Sequence, residues 1–260
     1  MSLSVAGGTD RAGVQRLAEA KGTGWGWGYL TTPATEARRA LTAHPAIPYI
    51  APFVAFISVM AVERLAGLSP QYLYAVRSAV VLGVILVCSR RLVSFRASRP
   101  WWSILVGVAA FAIWVAPDML FGYRAHWLFQ NALTGRAVTS LPPEVRGNWG
   151  FLAIRALGST LIVPTAEDLF WRGWLMRWWI KPDFLSVPLG AWSPSAFWLV
   201  ALLFGSEHGP YWEVGVAVGV LYNWWLVRTR TLADCIVAHA VTNGALSVYV
   251  IATGMWQYWL

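Results

Sequence analysis

Charge is scarce in this chain. Only 12% of its 260 residues are Asp, Glu, Lys or Arg, while 57% are hydrophobic and the mean hydropathy is +0.52. An ordinary soluble domain carries about 25% charged residues, so this composition cannot cover a free-standing globule with polar surface. Cysteine is nearly absent. Cys88 and Cys235 both lie in apolar runs, which excludes a disulfide framework and a C-x-x-C metal site. They read as small buried apolar residues. Strict two-residue alternation of apolar and polar residues is missing as well, which excludes a transmembrane barrel. In lipid, every backbone polar group needs a partner within the spanning structure. What remains is an all-α fold, a polytopic bundle of about seven or eight transmembrane helices.

Other absences narrow the function. No internal repeat is visible, which counts against an inverted-repeat transporter. No G-x-S-x-G occurs, and Ser206 and Ser247 have no evident base and orienting group. No His-Glu-x-x-His places metal ligands close together. The net charge of +8 does not point to nucleic acid, because the basic residues gather at the ends of apolar segments. That distribution encodes topology. The chain also has 18 Trp. Trp101, Trp102, Trp178, Trp179, Trp256 and Trp259 are among those near segment ends, where indole rings anchor at the membrane interface.

Seven apolar segments approach the length of about 20 residues that a span requires: 46–65, 71–90, 101–121, 152–180, 194–212, 213–228 and 232–252. Residues 1–45 are polar and are expected to form a cytoplasmic N-terminal tail, leaving 46–260 as the integral membrane domain. Residues 122–149 read as a loop with an interfacial helix around 123–134. An eighth short span has room there or at the C-terminus. Arg38, Arg39, Arg90, Arg91, Arg96, Arg99, Arg177, Lys181, Arg228 and Arg230 fall on one side of this map. The excess assigns the N-terminus to the cytoplasm, and the expected location is a bacterial inner membrane. Arg77 and Arg155 lie near outer ends, where their heads can snorkel.

Four polar side chains sit where a bilayer disfavours them: Glu167, His208, His239 and Asn243. Ionisable groups at membrane depth are expensive and are read by default as functional. At 1.5 Å per residue, Glu167 and His208 each lie roughly 20 Å from the inner end of their helices, with His239 and Asn243 at roughly 12 and 18 Å. Three helices thus bring polar groups to similar levels, as a shared mid-membrane cavity requires. Asp168 and Arg172 are four apart and can pair on one helix face, which leaves Glu167 free. His239 and Asn243, and likewise Phe204 and His208, share the same spacing. Pro164 frees a carbonyl one turn before Glu167 and is expected to kink the helix. Gly209-Pro210 ends the helix that carries His208. Glu207, next to His208, is placed on another azimuth of that helix and read as structural.

The chemistry that suits this set is hydrolysis. A carboxylate such as Glu167 can deprotonate a water held against His208. His239 and Asn243 can donate to the oxyanion that develops on an attacked carbonyl.

The runs Glu167-Asp168-Leu169-Phe170-Trp171-Arg172, Phe204-Gly205-Ser206-Glu207-His208 and His239-Ala240-Val241-Thr242-Asn243 resemble the CAAX protease and bacteriocin-processing family, also called Abi, which includes the type II CAAX prenyl proteases. That family carries Glu-Glu-x-x-x-Arg, Phe-x-x-x-His and His-x-x-x-Asn in this order on separate membrane helices. The resemblance covers about 152–252. It departs at Asp168, which stands in place of the second Glu. It implies an intramembrane endopeptidase of the glutamate type, with Glu167 as general base, His208 as its partner, His239 and Asn243 stabilising the oxyanion, and Arg172 as an ion-pair partner. Trp-rich bacterial members are associated with surface-protein sorting. The expected partners are membrane lipid and a protein or peptide substrate, with no nucleic acid and no favoured cofactor. The alternatives are a zinc protease using Glu167, His208 and His239, a haem protein with the two histidines as axial ligands, a proton-coupled transporter, and a non-catalytic binding protein.

Overall fold

The structure, a computed structural model, describes residues 44–66, 70–139 and 141–259, all within one compact unit, Thr42–Leu260. All but the last two residues of the expected tail lie outside the described residues. The protein is an all-α membrane protein with long apolar helices. Helix α1 covers Ile47–Ala66, α2 covers Pro70–Val84 and runs on into a π-helical turn at Ile85–Ser89, and α3 covers Pro100–Phe121. Helix α4 runs unbroken over Trp149–Ile180, α5 covers Pro194–Ser206, α6 covers Trp212–Thr229 and α7 covers Leu232–Thr253. Each of the seven expected segments therefore contains a helix, the fifth only as far as Ser206. Side chains such as Val54, Leu86, Val108, Leu202 and Val248 point outward and are exposed, as an apolar solvent permits.

The helix ends follow local chemistry. Pro100 and Pro194 occupy first-turn positions, where a missing N–H is harmless. Asn148 caps α4 by accepting from the Phe151 N–H at 3.1 Å. Helices α3 and α7 stop at Gly122 and Gly254, both left-handed, whose N–H groups return to Asp118 and Val250 carbonyls. Asp234, in the first turn of α7, accepts from the backbone of Ser98 and Arg99 (2.9 Å each) and from the hydroxyls of Ser98, Ser103 and Thr231. One carboxylate thereby fixes the starts of α3 and α7 to each other.

Two helix pairs pack through small residues. A Cβ on Gly107 of α3 would collide with the Ala238 carbonyl of α7. A Cβ on Gly205 of α5 would collide with Val216 and would lie 2.8 Å from the Trp212 carbonyl of α6. Without a hydrophobic drive between helices in lipid, such close approach gains dispersion and is how membrane helices associate. It also sets the distance between the residues that α3, α5, α6 and α7 direct inward.

Residues 122–148 depart from expectation. The interfacial helix expected at 123–134 is absent. Instead there is one 3-10 turn, Tyr123–Ala125, followed by turns closed by an Asn131–Gly135 bridge. The reason is local hydrogen bonding. Asn131 Oδ1 accepts from the N–H of Leu133 and Thr134, and Thr134 Oγ1 donates to the Phe129 carbonyl, so polar side chains compete with a helix for the backbone. Arg124 secures this loop to the start of α6. Its guanidinium lies 2.8 Å from Glu213, 3.4 Å from Asp118 and 2.5 Å from the Pro210 carbonyl. Burial and a hydrogen bond to Glu213 hold the Tyr123 phenol in the same cluster up at about 12. Among the described residues there is no eighth span. The last helical element among the described residues is a 3-10 turn at Trp256–Tyr258.

Candidate active site

The helix that carries Glu167 is irregular on both sides of it. Pro164 cannot donate to the preceding turn. The helix answers with a π-helical stretch at Gly158–Ile162, where the Val163 N–H reaches back to the Gly158 carbonyl. A second π-helical stretch follows at Leu169–Leu175. The expected disturbance at Pro164 takes this form, a register change rather than a broken helix. Glu167 lies in the short α-helical piece between the two, Val163–Asp168.

Glu167 and Asp168 have different surroundings. Asp168 is fully buried and its Oδ1 lies 3.1 Å from Arg172 Nη1. Arg172 is also fully buried. Its Nε donates to Asn223 Oδ1 at 3.2 Å, and its guanidinium lies over the rings of Phe204 and Tyr222 at 4.3 and 5.3 Å. Asn223 in turn donates to the Phe197 carbonyl at 2.8 Å. Helices α4, α5 and α6 are joined by this one cation. Asn223 could have been found in the sequence as an amide within the apolar run of α6. Arg177 is engaged elsewhere: it donates to the Gly173 carbonyl and lies over Tyr49 and Phe184. Glu167 Oε2 has no hydrogen-bond partner although the residue is 6% exposed.

Glu167, His208, His239 and Asn243 all line one cavity of about 190 Å³, together with Phe204, Tyr222, Thr242, Trp114, Arg155 and Ser159 among others. His239 lies between the two acids, with Nε2 3.9 Å from Glu167 Oε2 and Nδ1 3.5 Å from Asp168 Oδ2. Its ring packs against Tyr222, whose hydroxyl donates to Thr242 Oγ1 at 2.7 Å. Asn243 gives one amide hydrogen to the Ser159 carbonyl at 2.9 Å and retains a second. The aromatic wall of Trp114, Phe204 and Tyr222 surrounds the two histidines.

His208 follows the end of α5, in the turn that Gly209 closes with φ +55°. His208 Nδ1 lies 2.7 Å from the Phe204 carbonyl. A carbonyl can only accept, so Nδ1 carries the proton and the neutral ring keeps its lone pair on Nε2.

Two residues differ from the sequence-based expectation. Because α5 stops at Ser206 rather than near 212, Glu207 is not held at a helical azimuth. One carboxylate oxygen each of Glu167 and Glu207 and one ring nitrogen of His208 lie within 4.8 Å of one another, and Glu207 Oε1 accepts from Trp171 Nε1 at 3.1 Å. The three ligands considered for zinc from sequence were Glu167, His208 and His239, whereas this cluster has Glu207 in place of His239. Arg155 does not snorkel outward. It is buried in the cavity wall between the rings of Tyr74 and Trp259, at 4.9 and 5.0 Å.

The arrangement can hold a water against an acid and an imidazole, with a second imidazole and an amide lining the same cavity. Neither a curated protein nor a solved structure matches the chain. Residues 148–245 match the family described as type II CAAX prenyl endopeptidase Rce1-like. That stretch includes Glu167, Asp168, Arg172, Phe204, His208, His239 and Asn243, so the cavity-bearing part of this chain is similar to type II CAAX prenyl endopeptidases of the Rce1-like family.

Proposed function

We propose that the protein is an intramembrane endopeptidase that activates water with Glu167 and His208 and needs no metal ion. Glu167 Oε takes a proton from the water as its oxygen attacks the substrate carbonyl carbon. His208, with its lone pair on Nε2, orients that water. His239 and the second amide hydrogen of Asn243 donate to the oxyanion, and Glu167 returns its proton to the leaving amine as the C–N bond breaks. Asp168 and Arg172 keep the helices in register and take no part in the proton transfers. The observation that carries this reading is the division of labour between adjacent acids. Asp168 Oδ1 is committed to Arg172 and the residue stands behind the cavity wall, while Glu167 lines the cavity; each acid keeps one oxygen without a hydrogen-bond partner.

The substrate is a membrane-associated protein or peptide. The distribution of Arg and Lys supports an N-terminus in the cytoplasm, the membrane is a bacterial inner membrane, and processing or sorting of surface proteins is the matching cellular role. The test is proteolysis by the purified full chain in detergent, comparing wild type with Glu167→Ala, His208→Ala, His239→Ala and Asn243→Ala, with and without a chelator. The first two substitutions should abolish cleavage, the last two should lower it by about 10²–10³-fold, and chelator should have no effect. Full activity in Glu167→Ala would end the proposal. Loss on chelation with recovery on adding zinc would replace it with a metal mechanism.

A further inference from the structure

Glu207 has no role in the mechanism above, yet this exposed residue adjoins Glu167 and His208. Its carboxylate, that of Glu167 and a ring nitrogen of His208 lie within 4.8 Å of one another. For any three points so spaced, one position lies no more than about 2.8 Å from all of them, the ordinary length of a hydrogen bond to water. Three further features mark this as a built site. Glu167, one of its corners, is 6% exposed and has an oxygen with no hydrogen-bond partner. Glu207 is aimed by the buried indole of Trp171, which donates to Oε1 at 3.1 Å and leaves Oε2 for another donor. His208 is fixed through Nδ1 by the Phe204 carbonyl. Trp171 lies in the π-helical stretch that begins directly after Asp168, so the irregularity of α4 places both the base and the donor that orients Glu207.

We propose that Glu207 is a further catalytic residue, the second carboxylate on the attacking water. A water has two hydrogens. Glu167 removes one as the new C–O bond forms, and Glu207 accepts the other in a hydrogen bond without taking it. That contact points the water's lone pair at the substrate carbonyl. Balance is unaffected: one water is added, the peptide C–N bond breaks, and the proton removed by Glu167 ends on the amine. Asp168, the acid that the motif places beside Glu167, cannot serve here, because it is fully buried and its oxygens face Arg172 and His239. An acid from the second motif occupies the place instead.

This inference rests on the endopeptidase reading, and the experiment separates the two. The full chain in lipid nanodiscs is incubated with a proteome-derived peptide library, cleavage is identified by mass spectrometry, and kinetics are measured on the best-cleaved peptide. Glu207→Gln, which keeps the shape and the Trp171 contact, should lower kcat by about 10²-fold with KM changed less than about twofold, the signature of an interaction made in the transition state. Glu207→Asp should recover part of the loss, and Trp171→Phe should show a smaller loss of the same kind. The thermal midpoint of Glu207→Gln should match wild type. Retention of wild-type kcat in Glu207→Gln, with Glu167→Gln inactive, overturns the role of Glu207 alone. Activity in Glu167→Gln overturns the endopeptidase mechanism itself. Loss on chelation restored by zinc in wild type, and not restored in Glu207→Gln, overturns the water assignment by making the same three groups metal ligands.

Discussion

Replacing Asp168 and replacing Glu167 should fail in opposite ways, although the two residues are adjacent. Asp168 and Arg172 are each fully buried and paired at 3.1 Å. Asp168→Ala leaves a guanidinium in the protein interior without its counter-charge. Removing one partner of a buried ion pair typically destabilises by about 3–5 kcal/mol. Arg172 retains Asn223 at 3.2 Å and the faces of Phe204 and Tyr222, which places the expected loss near the lower end, at about 3 kcal/mol. At about 2–4 °C per kcal/mol for a chain of this size, the midpoint should fall by roughly 10 °C. Glu167→Gln removes a charge whose Oε2 has no hydrogen-bond partner, so the midpoint should be unchanged or slightly raised while cleavage is lost. Thermal unfolding followed by intrinsic tryptophan fluorescence in nanodiscs, beside a cleavage assay, reads both. A midpoint for Asp168→Ala within about 2 °C of wild type, less than one kcal/mol on that scale, would refute the assignment of Asp168 to Arg172. A fall as large in Glu167→Gln would refute the claim that Glu167 is free of structural duty.

Asp168→Glu, which restores the family's Glu-Glu pair, should not raise activity. It adds a methylene to a fully buried side chain and should lower stability by about 1–3 kcal/mol, measured in the same melts. Asp234→Ala should destabilise by about 3 kcal/mol or more, because Ser98, Arg99, Ser103 and Thr231 all donate to that carboxylate. Gly205→Val should force α5 from α6 and displace Phe204 and His208, so cleavage and thermal midpoint should fall together. The Tyr123 phenol, ordinarily near 10 and held up to about 12 by burial and Glu213, stabilises the loop cluster fully below pH 10. That contribution is lost as pH rises through 12, and Tyr123→Phe should remove this alkaline dependence from the melting curve.

Much of this molecule was legible in the sequence, and the exceptions share a physical cause. Apolar runs of membrane length are a strong signal, so all seven helices were found, and the four-residue spacing of Asp168 and Arg172 gave their pair directly. The convergence of Glu167, His208, His239 and Asn243 on one cavity followed from depth alone, because helices of similar tilt bring equal depths together. What spacing could not give was geometry where the helix is not an α-helix. Glu207 was assigned an azimuth on a helix that ends one residue earlier. The π-helical stretches around Glu167 alter the rotation that a 3.6-residue period predicts, and so place Trp171 against Glu207. Asn223 was missed although an amide in an apolar run is a visible signal; its role becomes specific only with the buried Arg172 it satisfies. The loop after α3 was read as a helix because Asn131 and Thr134 bond to the backbone around them, which composition does not reveal.

The central claim is that Glu167 performs chemistry while its neighbour performs structure. Its most direct test is the rate of peptide cleavage by Glu167→Gln relative to wild type, in preparations with equal thermal midpoints. A loss of about 10²–10⁴-fold is expected if the carboxylate is the base. Cleavage at a rate within about tenfold of wild type, less than 1.4 kcal/mol of barrier, would contradict it.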